Sequence, residues 1–191
     1  MTRIKIALAL AATLVVTACY PPTTSHPVGT TAGLKPDPVL TGTWKGTNSD
    51  GKPFYLHFLQ QSDGTLSAVI VESGPKAEDW NVVTATTATL AGNHYMNARL
   101  LWTNGKPEEA PAGTVPVLYR LDAKGVLTFS LLDEGAVKAA ITSGKIKGTV
   151  EKAELGDATI TAGPKALDAY FAAPGTAKLF SNTLFAVHKV D

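Results

Sequence analysis

Four histidines and one cysteine are the residues of this chain best suited to metal binding or nucleophilic chemistry. Metal sites are typically built from clustered imidazole, thiolate and carboxylate ligands at short spacings. The histidines stand far apart in the sequence, at His26, His57, His94 and His188. Three of them fall on predicted strands and could meet in space, but we favour single positions on half-exposed strand faces. The sequence therefore predicts no metal site.

Motifs for covalent catalysis or phosphate binding are absent from the sequence. It contains no Gly-x-Ser-x-Gly stretch, and residues 144–148, Gly-Lys-Ile-Lys-Gly, lack the spacing of a phosphate-binding loop. The adjacent carboxylates Glu108 and Glu109, and Asp133 and Glu134, lie on a predicted loop and a predicted helix start, where such residues solvate or cap the chain. We therefore predict a protein that is not an enzyme, with no catalytic residues and no cofactor.

Aromatic side chains and two arginines point to the binding of a small molecule instead. Small β-barrels line their ligand cavities with aromatic residues and a few polar groups. The candidate ligand-binding residues lie on several predicted strands: Trp44, Tyr55, Tyr95, Arg99, Trp102, Tyr119 and Arg120. The alternative is that the aromatic residues fill the core and rim of a solid barrel.

Cys19 follows a segment organised like a secretory signal peptide. Arg3 and Lys5 precede a largely apolar run over residues 6–16. This run is too short for a stable transmembrane helix, which needs about 20 residues. The sequence predicts a signal peptide over residues 1–18.

The segment Val16-Thr17-Ala18-Cys19 resembles the lipobox of bacterial lipoproteins. The resemblance implies cleavage between Ala18 and Cys19, and acylation of Cys19 on sulfur and nitrogen. Several acyl chains on one residue form a durable membrane anchor, because a single chain binds only marginally. Lipidation also accounts for a lone cysteine in an exported chain, which can form no internal disulfide. The alternative is an ordinary secreted protein with one chance cysteine.

The partners that we expect follow from charge and from this resemblance. Removal of Arg3 and Lys5 with the signal peptide leaves 15 basic residues against 16 acidic ones, so the formal charge changes from +1 to −1. Without dense runs of Lys and Arg the chain offers no footprint for nucleic acid. Inner-membrane lipoproteins tend to carry an aspartate after the acylated cysteine, whereas this chain has Tyr20. The resemblance therefore implies an anchor in the outer membrane, with the domain facing the periplasm.

The composition divides the rest of the chain into two parts. Residues 19–38 are rich in Pro, Thr, Ser and Gly and predict a flexible tether, because they offer little apolar surface to bury. Residues 39–191 are long enough for one domain with its own core.

Beyond residue 39 the apolar residues alternate with a period of two, which predicts β-strands. Within residues 53–60, for example, Phe54, Leu56 and Phe58 share one strand face. The predicted strands cover residues 40–46, 53–60, 65–72, 80–91, 94–103, 115–122, 126–132, 149–151, 158–162 and 183–189. Two short helices are predicted over residues 133–141, with an acidic N-cap, and 163–171, with a proline in the first turn.

Short strands in a meander usually close into a barrel or sandwich, because closure removes exposed edges. The opening strand, with Gly42-x-Trp44, resembles the start of lipocalins and avidins, the calycin group of barrels. The resemblance implies a mainly β, antiparallel up-and-down barrel in which Gly42 allows close approach and Trp44 plugs the base. Lipocalins also place a late-strand arginine on that tryptophan, whereas the last strand here carries only Lys189 nearby.

Two functions are compatible with these residues. The first is a membrane-anchored, non-enzymatic lipoprotein that binds a small or lipid-like ligand inside the barrel, which predicts a cavity of roughly a few hundred Å3. The second is a structural or interaction lipoprotein of the cell envelope, whose solid barrel contacts another envelope protein. That function predicts an exposed apolar patch of roughly several hundred Å2.

Overall fold

The computed structural model describes residues 21–72, 80–108, 113–151 and 158–190. The predicted signal peptide, its cleavage site and Cys19 lie outside the described residues. No helix in the described part of the chain is both long enough and apolar enough to cross a membrane.

The described residues form strands and helices in the following order. The strands are β1 (Thr23–Thr24), β2 (Gly42–Thr47), β3 (Pro53–Gln60), β4 (Leu66–Glu72), β5 (Trp80–Leu90), β6 (Asn93–Thr103), β7 (Lys106–Pro107), β8 (Val115–Leu121), β9 (Val126–Leu131), β10 (Gly148–Val150), β11 (Ala158–Ile160) and β12 (Asn182–Lys189). The helices are α1 (Glu134–Thr142), α2 (Pro164–Ala172) and a 3-10 helix, Thr176–Leu179.

Eight strands form one closed antiparallel barrel, in which each strand pairs with the next barrel strand along the chain: β2, β3, β4, β5, β6, β8, β9 and β12. The last strand, β12, returns to pair with β2, with Val187 opposite Gly46. Closure leaves none of the eight strands as an exposed edge. The predicted mainly β, up-and-down barrel with two helices is confirmed.

The pleat of each strand sends alternate side chains into the barrel. On β3, Phe54, Leu56 and Phe58 are buried inside the barrel, whereas Tyr55 and His57 are exposed on its outer surface. This is the alternation that the sequence predicts for residues 53–60.

One end of the barrel is filled by side chains. We call it the closed end; it is the end at which β2 begins. Trp44 is buried there, and its indole Nε1 donates to the carbonyl oxygen of Leu40 at 2.8 Å. Lys189 Nζ lies 5.6 Å from the centre of the Trp44 ring, close enough for a cation–π contact. Gly42 has a φ of +111°, a conformation that glycine adopts at little cost. The opposite end, where β2 finishes, we call the open end.

A second apolar layer covers the outer wall of β6 and β8. Tyr95 and Leu118 leave these strands on the outer side and pack against α1 and α2. Both helices begin as predicted: the Asp133 side chain accepts a hydrogen bond from Ala136 N at 2.7 Å, and Pro164 opens α2. The segment between β9 and β12 therefore forms a cap over one side of the barrel.

Residues 21–38, which we predicted to be flexible, pack along the outside of the barrel instead. We call them the N-terminal strap. Val28 is fully buried, and the Asn97 side chain on β6 accepts from Val28 N at 2.7 Å and donates to Val28 O at 3.0 Å. The buried carboxylate of Asp168 on α2 accepts from the N–H groups of Gly29 and Thr31, each at 2.7 Å. These side chains form hydrogen bonds with backbone N–H and C=O groups of the strap. They hold in place a segment that has few apolar residues.

The strap connects the two ends of the barrel. Residues 21–22 border the same groove as Leu131 and Asn182, where β9 finishes and β12 begins, at the open end. Thr24 N donates to Thr114 O at 2.8 Å, just before β8 begins at that end. Further along the strap, Lys35 N donates to Thr87 O at 2.9 Å, near the closed end. Leu40 follows the strap and fills part of the closed end, and β2 begins two residues later.

Candidate functional site: an apolar pocket at the open end

An apolar pocket of about 90 Å3 lies inside the barrel and opens at the open end. Residues from seven barrel strands line it: Leu56, Phe58, Ala68, Ile70, Val83, Met96, Ala98, Val117, Phe129, Leu184 and Phe185. No polar side chain contributes to this lining. Ligand pockets usually combine apolar walls with a few polar groups, so this one is unusually uniform.

The hollow exists because small side chains face inward on neighbouring strands. Ala68 on β4 lies opposite Val83 on β5, and Ala98 on β6 lies opposite Ala85. Trp44 and other bulky core residues fill the closed end of the barrel. The small inward side chains of β4, β5 and β6 therefore leave the interior incompletely packed.

The rim of the pocket carries an exposed leucine. The pairing of β12 with β9 shifts register between Thr183 and Phe185, and Leu184 lies within this irregularity. Leu184 lines the pocket although 45% of its surface is exposed. The Phe185 ring packs on Phe54, with 4.9 Å between ring centres. The mouth of the pocket is thus apolar as well as its interior.

Chemically, the pocket can hold only an apolar group. Burial of apolar surface contributes about 25 cal/mol per Å2, so an apolar group gains free energy by entering the pocket. The pocket is smaller than the cavity of roughly 150 Å3 that holds benzene, and smaller than the sequence led us to expect. Because it is open, a longer molecule can place one end inside and leave the rest outside.

The predicted ligand-binding residues do not meet in this pocket. Trp44 and Tyr119 belong to the core inside the barrel but do not line the pocket. Tyr95 is buried on the outer side, against Phe171 of α2. The remaining four are exposed on the outer surface: Tyr55, Arg99, Trp102 and Arg120. The structure therefore does not bring these seven residues together in the pocket.

The separate positions of these residues have a simple physical cause. We selected residues by type, whereas the side of the sheet that a residue faces depends on its parity along the strand. Tyr95 and Met96 are neighbours, so one of them faces outward and the other lines the pocket. Inward positions occupied by alanine, such as Ala68 and Ala98, are the signal in the sequence that marks the hollow.

A polar cluster at the closed end was also missed. The Tyr119 hydroxyl donates to Asp37 Oδ2 at 2.8 Å, and His94 Nδ1 lies 3.7 Å from the same oxygen. Burial, and then the hydrogen bond to Asp37, raise the pKa of Tyr119 well above its ordinary value. Tyr119 therefore stays protonated at neutral pH and remains a donor to Asp37. A groove of about 320 Å3, bordered by Lys35, lies beside this cluster. The arrangement holds the end of the strap in place.

The histidines on strands contact different neighbours. His57 Nδ1 is 2.8 Å from Thr43 Oγ1 on the outer surface, and His94 Nδ1 is 3.2 Å from Thr89 Oγ1. Across the described residues, no three His, Cys, Asp or Glu side chains gather closely enough to hold a metal ion.

Comparison of the chain with protein-family models, with curated proteins and with solved structures finds no match. Its function must therefore be inferred from its own residues and geometry.

Proposed function

We propose that this chain is a membrane-anchored lipoprotein whose barrel binds an apolar chain end or a small apolar molecule in the pocket at the open end. The observation that carries the proposal is the pocket itself, which is lined only by apolar side chains and is open to the outside. The role is one of binding, without catalysis and without a cofactor. The lipobox-like residues before Cys19 support the anchor, and Tyr20 supports the outer membrane with the domain in the periplasm.

Two features support an apolar ligand over a polar one. Inside the pocket, no hydroxyl, amide or charged side chain is placed to pair with a polar group, and an unpaired polar group would lose about 1–3 kcal/mol on burial. At the mouth, Leu184 extends the apolar surface outward. A ligand with an alkyl chain could therefore bury its end and keep its polar head in water.

A pair of identical substitutions tests this function. Ala98→Leu adds three carbons at a position that lines the pocket, whereas Ala186→Leu adds them at an exposed position on β12. The probe is a medium-chain fatty acid with a terminal CF3 group, and binding is followed by 19F NMR on the mature chain carrying Cys19→Ser.

We expect the unsubstituted pocket to bind the probe, and Ala98→Leu to weaken binding by at least about tenfold, which corresponds to roughly 1.4 kcal/mol. Ala186→Leu should leave binding unchanged. Equal affinities for all three proteins, or no binding by any of them, would contradict the proposal.

The interaction lipoprotein remains a second candidate because of one observation. Tyr55, Val71 and Trp102 are exposed on the outer surface near the open end, and Tyr55 lies opposite Val71 in the sheet. Such a surface can contact another envelope protein. Crosslinking of the mature protein in intact cells distinguishes the two: a specific protein crosslinked at Trp102, together with an empty pocket, favours the interaction role.

A further inference from the structure

The N-terminal strap determines where a membrane anchor joins the barrel. Residues 21–22 border a groove shared with Leu131 and Asn182 at the open end, and Thr24 is hydrogen-bonded to Thr114 beside the start of β8. Cys19 precedes Pro21 by two residues, and two residues span at most about 7 Å. Lipid carried by Cys19 would therefore join the domain close to the mouth of the pocket. A flexible tether of the predicted length would have allowed any orientation.

The surface around the open end is suited to a lipid interface. Leu184, Val71, Trp102 and Tyr55 lie near this end and expose between 40% and 46% of their surface. Tryptophan and tyrosine are enriched where proteins meet the boundary between headgroups and acyl chains, because one part of the ring is apolar and the other polar. Leu59 and Leu121 are exposed to a similar degree at the closed end, so the attachment point beside the apolar rim is what distinguishes the open end.

We propose that the open end of the barrel rests on the bilayer, so that the pocket mouth faces the lipid acyl chains. This inference rests on the proposed acylation of Cys19. The occupant of the surface is the bilayer because the chain that carries the anchor reaches the domain at this end, beside the apolar rim.

Charges on the rim indicate what drives the contact. Lys52 and Lys106 lie at the open end together with Glu72 and Glu108, so both signs are present. Such a mixture gives no strong attraction to anionic headgroups. We therefore expect the attachment point to select the open end and apolar burial, rather than attraction to headgroups, to hold it on the bilayer. The contact should persist at high salt and in vesicles without anionic lipid.

The test uses the full mature lipoprotein in vesicles of phosphatidylethanolamine and phosphatidylglycerol. A fluorophore sensitive to polarity, NBD, is attached to a cysteine introduced by Leu184→Cys at the open end or by Leu121→Cys at the closed end. The two leucines are matched controls because 45% and 47% of their surfaces are exposed. Cys19 is the only cysteine of the sequence, so its acylation leaves the introduced thiol as the one that reacts.

A barrel strand of eight residues is about 26 Å long, so the two probes differ clearly in depth. With a nitroxide-labelled lipid as quencher, we expect the probe at position 184 to be quenched on the order of threefold more strongly than the probe at position 121. The emission of the probe at position 184 should also shift to shorter wavelength. The ratio should be the same at low and high salt.

Mass spectrometry of the N-terminal peptide separates failure of the anchor from failure of the orientation. A peptide without acyl groups contradicts the proposed function and, with it, this inference. An acylated peptide together with equal quenching at both positions, or stronger quenching at position 121, contradicts the orientation alone. A shift at position 184 that occurs in native membranes but not in pure lipid vesicles would show that a protein covers this end, which also overturns the inference.

A second variant tests whether the strap sets the orientation. A flexible Gly-Ser insertion between Tyr20 and Pro21 leaves the strap and barrel unchanged but lets the domain turn freely. We expect the quenching ratio between positions 184 and 121 to fall toward one. A ratio unaffected by the insertion would show that the attachment point does not orient the barrel.

Discussion

The hydroxyl of Tyr95 is enclosed between the barrel wall and α2. It donates to the carbonyl oxygen of Phe171 at 3.3 Å, and the side chain is fully buried. Burial raises the pKa of Tyr95 to about 12, while the positive charge of Arg120 acts in the opposite direction. The phenol is therefore kept neutral as part of the second apolar layer.

This pKa predicts how stability changes in alkali. Below pH 10 the folded and unfolded states both hold the Tyr95 proton, so the contribution to stability is complete. As the pH rises from 10 to 12, the unfolded state loses the proton first, and roughly 2–3 kcal/mol of stability is lost. We expect Tyr95→Phe to make this decline shallower, as measured by urea unfolding across that pH range. Tyr55→Phe, on the exposed outer face, is the matched control, and parallel declines for Tyr95→Phe and the unsubstituted protein would contradict the prediction.

At the scale of single residues, the sequence predicted which side chains face the barrel interior better than it predicted which side chains face one another across strands. The alternation of Phe54, Leu56 and Phe58 correctly placed these side chains inside the barrel. The pocket, however, depends on which small residues face one another across strands, such as Ala68 and Val83. Pairing between strands is a property of the closed barrel, so residue type alone could not identify the lining.

At the scale of elements, local patterns predicted the helices and most barrel strands closely. The helix predicted over residues 133–141 is observed as α1, Glu134–Thr142, because Asp133 supplies the N-cap. The strap could not be predicted in this way. Its partners Asn97 and Asp168 lie 69 and 139 residues along the sequence from the strap residues that they bind. The composition of a short segment does not predict contacts with residues so far away in the sequence.

Removal of the strap tests its structural role. In a chain that begins at residue 39, the predicted domain boundary, Asn97 and Asp168 lack their strap partners. The apolar surface that Val28 covers is then exposed to solvent. We expect its free energy of unfolding to be lower than that of a chain beginning at residue 21, by on the order of 3–6 kcal/mol. Urea unfolding followed by circular dichroism provides the comparison. Equal values for the two chains would show that residues 21–38 are a dispensable tether after all.

At the scale of the whole molecule, the two ends of the barrel are chemically different. The closed end combines the Trp44 plug with the polar contacts of Asp37 and Tyr119. Large apolar residues are exposed at both ends, among them Leu121 at the closed end and Leu184 at the open end, but the apolar hollow and the first described residues of the chain lie at the open end. The hollow and the start of the strap therefore make the open end the one suited to an apolar ligand near the membrane anchor.

The most direct test of the proposed function is to locate a bound alkyl chain by NMR. In an isotope-filtered NOE experiment with unlabelled decanoate and 13C-labelled protein, we expect contacts from the terminal methyl group of the ligand to the methyl groups of Ala68, Ala98 and Val83. Methyl groups at the closed end, such as those of Leu127, should show none. Contacts confined to the outer surface around Val71, or no contacts with the protein, would contradict binding inside the barrel.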